Sequence, residues 1–176
     1  MKKSVVDLSD LQEIAPFFKT KFGIFLGKKI IKWLGIKKVN DIHAKHCHLR
    51  GADFTTALLQ DPLMDIKYNV HNAELLDTLP EGAFITISNH PFGHIDGIML
   101  IDIFASRRND FAVMVNGVLT KIGAMEDNFI SVQPDSKNRG ANVANVNGVR
   151  TSLERLKSGH PMGFFPAGAI SFYNKE

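Results

Sequence analysis

With 176 residues, 44% of them apolar, and a formal net charge of +3, the chain has the size and hydrophobicity of one globular domain that buries a core, which excludes a disordered polymer. Its single cysteine, Cys47, excludes an internal disulfide and gives no sign of secretion. No run of about 18 apolar residues is present, so no helix is expected to span a bilayer, and residues 1–7 lack the apolar stretch of a signal peptide.

The first fifty residues read as helical. Ser9 is placed to cap a helix, with Gln12 in the capping-box position, and Pro16 should interrupt or restart that helix. Between Pro16 and Arg50 the charge is one-sided: Lys19, Lys21, Lys28, Lys29, Lys32, Lys37, Lys38, Lys45 and Arg50 face a single acid, Asp41. At helical spacing Phe22, Leu26, Ile30 and Trp33 share one face, with Lys21, Lys28 and Lys32 opposite. Lys29 spoils the apolar face unless its stem snorkels. Gly23, Gly27 and Gly35 should weaken these helices and mark bends. A basic amphipathic helix bearing Phe and Trp suits the headgroup layer of an anionic membrane, where each Lys adds roughly 1 kcal/mol at most. Phe22, Leu26, Lys28, Lys32 and Trp33 are its candidate contacts. A helix packed on the core with solvated lysines gives the same pattern. No nucleic-acid motif accompanies the charge, so no nucleic-acid partner is expected.

Residues 40–60 read as a further helix, broken near Arg50-Gly51 and ended before Asp61-Pro62. The pattern then alternates. Strands are predicted at 66–70, 83–88, 111–115, 129–132 and 162–165, with helices at 95–105 and 141–157. In the last helix Val143, Val146, Val149, Leu153 and Leu156 form the expected buried face. Strands alternating with helices imply an α/β fold with a mostly parallel sheet flanked by helices, preceded by the N-terminal basic amphipathic helices.

One segment carries chemistry. Asn89-His90-Pro91-Phe92-Gly93-His94-Ile95-Asp96-Gly97 joins the strand at 83–88 to the helix at 95–105. His90 leaves a strand end, and Asp96 meets it across a short glycine-containing loop. Such a pair makes a general base: the imidazole takes a proton, and the carboxylate holds its tautomer and stabilises the imidazolium. No serine or cysteine is obviously placed as a nucleophile, so the proton comes from a substrate hydroxyl or amine. Three structural alternatives stand beside this reading. His90 can be an ordinary loop histidine, Asp96 can be the N-cap of a helix starting at Gly97, and His94 is a rival base. His43, His46, Cys47 and His48 form a local cluster, but Cys47 and His48 do not complete a tetrahedral set with the other two, and no metal is expected. Lys121 and Arg139 follow strands and could meet an acidic donor, although surface roles are more ordinary.

Residues 60–172 resemble the glycerolipid acyltransferase superfamily, which includes the 1-acylglycerol-3-phosphate acyltransferases. Asn89-His90 opens the family's first block, Phe129-Ile130-Ser131-Val132 stands at its second, and Phe165-Pro166-Ala167-Gly168-Ala169-Ile170-Ser171 is similar to its third, Phe-Pro-Glu-Gly-Thr-Arg-Ser. Three departures matter. Five residues separate His90 from Asp96 where the family usually has four, a form similar to the Asn-His-Pro-x-Gly-x-x-Asp-Gly of a bacterial subgroup; Gly93 is the hinge expected to absorb the extra residue. The second block lacks the arginine that the family assigns to an acceptor phosphate. The third has Ala167 for Glu and Ile170 for Arg. Each missing arginine is a lost bidentate contact to phosphate.

The resemblance implies a membrane-associated acyltransferase. A fatty acyl group passes from acyl-ACP (acyl carrier protein) or acyl-CoA to the hydroxyl of a lyso-phospholipid or a lyso form of an amino-acid lipid. His90 is the base and Asp96 orients it. Asn89, Gly93, Phe165, Pro166, Ala167 and Gly168 are the expected substrate-binding set, with backbone N–H groups near Gly168 as oxyanion donors. No cofactor or metal is implied beyond the acyl thioester co-substrate. The expected partners are the membrane lipid surface, the lyso-lipid acceptor and acyl carrier protein. The expected location is peripheral, on the cytoplasmic face of the inner membrane. The domain organisation is an N-terminal membrane-interacting helical region over 1–60 and an acyltransferase α/β domain over 61–176. No counterpart of the family's fourth block, rich in Val and Pro, follows, so the domain is expected to be incomplete at its C-terminus. The alternative is a non-catalytic, membrane-binding remnant of the same fold.

Overall fold

The computed structural model describes residues 4–132 and 143–170. Four helices precede the sheet: α1 (Leu8–Ile14), α2 (Lys21–Trp33), α3 (Ile36–His46) and α4 (Gly51–Leu59). The rest runs β1 (Ile85–Ile87), α5 (His94–Ala105), β2 (Ala112–Asn116), β3 (Phe129–Val132), α6 (Val143–Lys157) and β4 (Met162–Phe164). The strands form one sheet in the order β1-β4-β2-β3, and every pairing is parallel. The expected α/β class, with a parallel sheet and flanking helices, is what the chain adopts.

Alternation along β2 explains the layers. Phe111, Val113 and Val115 face one side and pack with Ile101 and Ala105 of α5 and Phe54 of α4. Ala112 and Met114 face the other, with Ile130, Met162 and Leu156 of α6. Phe54, Ile101, Phe111 and Val113 are fully buried, each stabilising the fold by about 1.5–3 kcal/mol. Phe54 belongs to the same core as β2, so that core draws on both sides of residue 60.

The structure corrects four local expectations. The cap of α1 is Asp7, not Ser9: its carboxylate accepts from the Ser9 N–H, and Asp10 reaches back to the Asp7 N–H in a reciprocal box. Gly23 and Gly27 do not bend α2. A Cβ on Gly23 would lie 2.0 Å from the Phe17 carbonyl oxygen, and one on Gly27 would lie 2.7 Å from Leu8 Cδ1. They are the contact points at which α2 meets the segment before it. Only Gly35, at φ +70°, makes a joint, between α2 and α3.

Residues 66–70 are not a strand. Asp65 and Asn72, both with positive φ, bracket the segment, and Tyr68 gives its hydroxyl hydrogen to Asp102 of α5. The alternating side chains thus find a helix rather than a sheet edge. Finally, α6 turns Val146, Val149 and Leu153 outward. Gly148 and Ser152 are buried, while Val146, Val149 and Leu153 are each about half exposed, at 52%, 51% and 52%. A Cβ on Gly148 would lie 2.5 Å from Val132 Cγ1, so the helix approaches β3 closely at this face. Residues 141–142 of the predicted helix lie outside the described residues.

Candidate active site

β1 and β4 are neighbours, and their carboxyl ends launch two loops side by side. The parallel ladder continues one step past β1, where the Ser88 N–H donates to the Phe164 carbonyl at 3.4 Å. His90 follows on one loop and Phe165 on the other. In open parallel sheets, sites gather at this end of the strands.

The loop from β1 turns at Gly93, whose φ of +67° and ψ of −126° belong to a region that side-chain-bearing residues avoid. Gly93 is the N-cap of α5, so the helix begins at His94 and Asp96 stands at its third position. The alternative in which Asp96 caps a helix starting at Gly97 is thereby overturned. From the first turn the Asp96 carboxylate folds back over the loop. Its Oδ2 lies 3.0 Å from His90 Nδ1 and accepts the Phe92 N–H at 2.9 Å. A carboxylate in the first turn also sits well with the helix dipole. The five intervening residues therefore do return Asp96 to His90, with Gly93 as the reversal point.

The His90 side chain is 19% exposed and that of Asp96 11%, so the imidazole is shielded but still reachable. Its ring lies flat against Phe165, with centroids 4.1 Å apart and planes 22° from parallel. Ile170 closes over the hinge: a Cβ on Gly93 would be 3.0 Å from Ile170 Cδ1. Between them, Gly168 at φ +64° makes a tight turn whose N–H donates to the Phe165 carbonyl at 3.0 Å. That N–H is thus not available to an oxyanion, and amide donors of this turn have to come from its neighbours.

The predicted residues are distributed as follows. His90, Asp96, Gly93 and Phe165 converge. Asn89, Pro166, Ala167 and Gly168 are exposed on the two loops, as is His94 on the first turn of α5. Ser171, Arg139 and the side chain of Lys121 lie outside the described residues. The ring stack of Phe165 and the cover by Ile170 have no signature in the sequence, because both depend on β1 and β4 being neighbours. The cluster of His43, His46, Cys47 and His48 disperses. His43 is buried edge-on against Phe54, and His46 Nε2 meets Asp61 Oδ2 at 2.8 Å. Asp61 is buried and also accepts from Lys45 and the Leu63 N–H. Lys45 first, and then the Leu63 amide and His46, hold its carboxyl well below the usual carboxylate range. Among the described residues no three His, Cys, Asp or Glu side chains gather as a metal would require.

On α2, Phe22 and Trp33 are 67% and 84% exposed, and Lys28 and Lys32 are exposed beside them. Leu26 is half-buried. Phe25 is also exposed, and the Lys29 Nζ sits 4.7 Å over its ring.

A family model described as "Acyltransferase" matches residues 11–173. The chain belongs to this acyltransferase family. Comparisons with curated proteins and with solved structures return no match. The family match reaches from α1 to beyond the turn after β4, so in this acyltransferase it takes in both site loops and the exposed face of α2.

Proposed function

We propose that this acyltransferase moves a fatty acyl group from an acyl thioester, acyl-ACP or acyl-CoA, to the hydroxyl of a lyso-phospholipid or a lyso-amino-acid lipid. The observation that carries the reading is the 3.0 Å contact of His90 Nδ1 with Asp96 at the carboxyl end of β1. With Nδ1 turned to the carboxylate, Nε2 is the nitrogen for proton transfer. It takes the acceptor hydroxyl proton as the oxygen attacks the thioester carbonyl. The tetrahedral oxyanion collapses, the C–S bond breaks, and the thiolate leaves with the proton that His90 had taken. Asp96 holds the imidazole in place and offsets its charge between the two steps. No arginine or lysine is present among residues 165–170, which favours an acceptor recognised by something other than a phosphate clamp.

The working surface in this reading is an anionic membrane, reached peripherally from the cytoplasmic face of the inner membrane. Support comes from the exposed Phe22, Phe25 and Trp33 among Lys21, Lys28, Lys29 and Lys32, with no acid between Glu13 and Asp41. Among the described residues no helix is long and apolar enough to cross a membrane.

The experiment is acyl transfer across a panel of lyso-lipids, with acyl carrier protein and coenzyme A donors compared. His90→Ala should abolish turnover, and activity retained above a few per cent sinks the assignment of the base. A wild-type chain that binds anionic vesicles but turns over no acceptor favours the alternative, a membrane-binding remnant of the fold.

A further inference from the structure

Proton transfer through Nε2 requires that the His90 ring keep Nδ1 on Asp96 while its other edge faces the acceptor. The hydrogen bond to Asp96 acts at the edge of the ring. The ring torsion of a histidine is broad, and an edge contact at 3.0 Å restrains the ring plane less than a contact on its face does. A second restraint is present. The Phe165 ring covers one face of the imidazole at 4.1 Å. Phe165 is itself fixed, since it follows β4 directly, packs against the core that holds Phe54 and Ile101, and receives the Gly168 N–H on its carbonyl. A third contact acts on the same loop, where Ile170 rests on the Gly93 hinge. The whole turn, Phe165-Pro166-Ala167-Gly168-Ala169-Ile170, carries no ionisable side chain with which to hold an anion.

We infer that the turn after β4 is an apolar clamp on the histidine loop, and that Phe165 is a positioning residue for His90 rather than a substrate contact. The inference rests on His90 being the base. The flat aromatic face restrains the ring plane, and it also favours the imidazolium that forms as the proton arrives, through the negative face of the phenyl ring. Ile170 holds the hinge that brings Asp96 into line.

Two measurements test the clamp. In the first, the histidine ring carbons are labelled and their attached protons observed by NMR, with His90 assigned by loss of its signal in His90→Gln. Stacking predicts that the His90 ring protons lie upfield of those of the other histidines, that Phe165→Leu abolishes the displacement, and that Phe165→Tyr preserves it. This arm needs no acceptor, so its failure is separate from failure of the proposed activity. In the second, kinetics on the best acceptor compare the same variants. Phe165→Leu should lower kcat about ten- to a hundredfold with KM unchanged, the scale expected when a catalytic group is displaced by about 1 Å. Phe165→Tyr should restore kcat, and Ile170→Ala should lower it less, again without a change in KM. An undisplaced His90 signal in the wild type overturns the clamp. So does a Phe165→Leu protein with wild-type kcat, or one whose acceptor KM rises at constant kcat, which would make Phe165 a substrate contact. If Phe165→Leu does not fold, Ile170→Ala decides, because Ile170 is 53% exposed and its loss opens no core cavity. An unchanged kcat in that variant overturns the clamp equally.

Discussion

Replacing Gly93 with alanine separates backbone strain from side-chain crowding at the one point on which the His90–Asp96 pair depends. Gly93 holds φ +67° and ψ −126°, where a residue with a Cβ is strained by about 1–3 kcal/mol. The crowding is slighter. Among the described residues the new Cβ would meet Ile170 alone, Cδ1 at 3.0 Å and Cγ1 at 3.5 Å, and Cδ1 ends a flexible side chain that is 53% exposed and can move aside. Strain should therefore dominate. If the loop keeps its shape, the loss of about 1–3 kcal/mol lowers the melting temperature by roughly 2–12 °C for a chain of this size. If the loop relaxes instead, the strain is relieved, Asp96 no longer reaches His90, and turnover falls at nearly unchanged stability. Thermal unfolding and acyl transfer on the same preparation tell these apart. The double variant Gly93→Ala/Ile170→Ala is the control for stability: it should melt like Gly93→Ala, because removing the crowding leaves the strain. A Gly93→Ala protein with wild-type melting and wild-type turnover refutes the account of the hinge, and recovery of the melting temperature by the second substitution refutes the ranking of the two costs.

Asp96→Asn keeps the size of the side chain but removes the charge that steadies the imidazolium; turnover should fall by about 10²–10⁴-fold with little change in melting, and a loss under tenfold removes Asp96 from the mechanism. At the N-terminus, Gly23→Ala should loosen the contact of α2 with its preceding turn more than Gly27→Ala, because the first Cβ meets a backbone oxygen at 2.0 Å and the second a leucine methyl at 2.7 Å. Hydrogen exchange over α1 and α2 reads this directly, and equal protection in the two variants contradicts it. For Asp61 the sign follows from its lowered pKa: the carboxylate stabilises the fold fully above its unfolded value, near 3.8, and loses that contribution as pH falls toward the folded value. The urea midpoint of the wild type should thus exceed that of Asp61→Asn by a constant margin at neutral pH and converge with it only below about pH 4. A margin that shrinks between pH 7 and 5 points to some other group.

Where apolar residues and burial coincide, the sequence was easily read. β3 falls on the predicted 129–132, and α5 starts one residue ahead of its predicted 95–105. The two site loops were visible as motifs because glycine and proline punctuate them. What the hydropathy pattern does not show is set by close approach. In α6 the apolar stripe of Val146, Val149 and Leu153 suggested a buried face, yet contact distance belongs to Gly148, which has no Cβ, and to Ser152, whose hydroxyl is satisfied by its own helix at the Gly148 carbonyl, 2.9 Å away. A hydropathy pattern ranks side chains by transfer energy and cannot show which small residue lets a helix come near. Gly23 and Gly27 are of the same kind: they are small where α2 meets the preceding segment. Residues 66–70 failed differently: their alternation is real, but Tyr68 is drawn to a carboxylate on α5 that no local pattern reveals.

That carboxylate bears on the His90–Asp96 pair. Asp102 lies six residues beyond Asp96 on the same helix and accepts hydroxyl hydrogens from Thr55 and Thr56 of α4 and from Tyr68. Burial first, and then Asp102, push the Tyr68 phenol well above its usual range, so the phenol stays a donor to Asp102. One side of α5 is thus tied by hydrogen bonds to α4 and to the 66–70 segment, while Ile101 and Ala105 are buried against β2. A helix held on both sides cannot slide to accommodate its own first turn. The position of Asp96 is therefore set by α5, while His90 follows β1 with its ring against Phe165; Gly93 is the reversal point between the two. This is why a loop one residue longer than the related pattern still closes on a 3.0 Å contact: the extra length is taken up at a residue free to adopt any φ, and neither anchored element has to move.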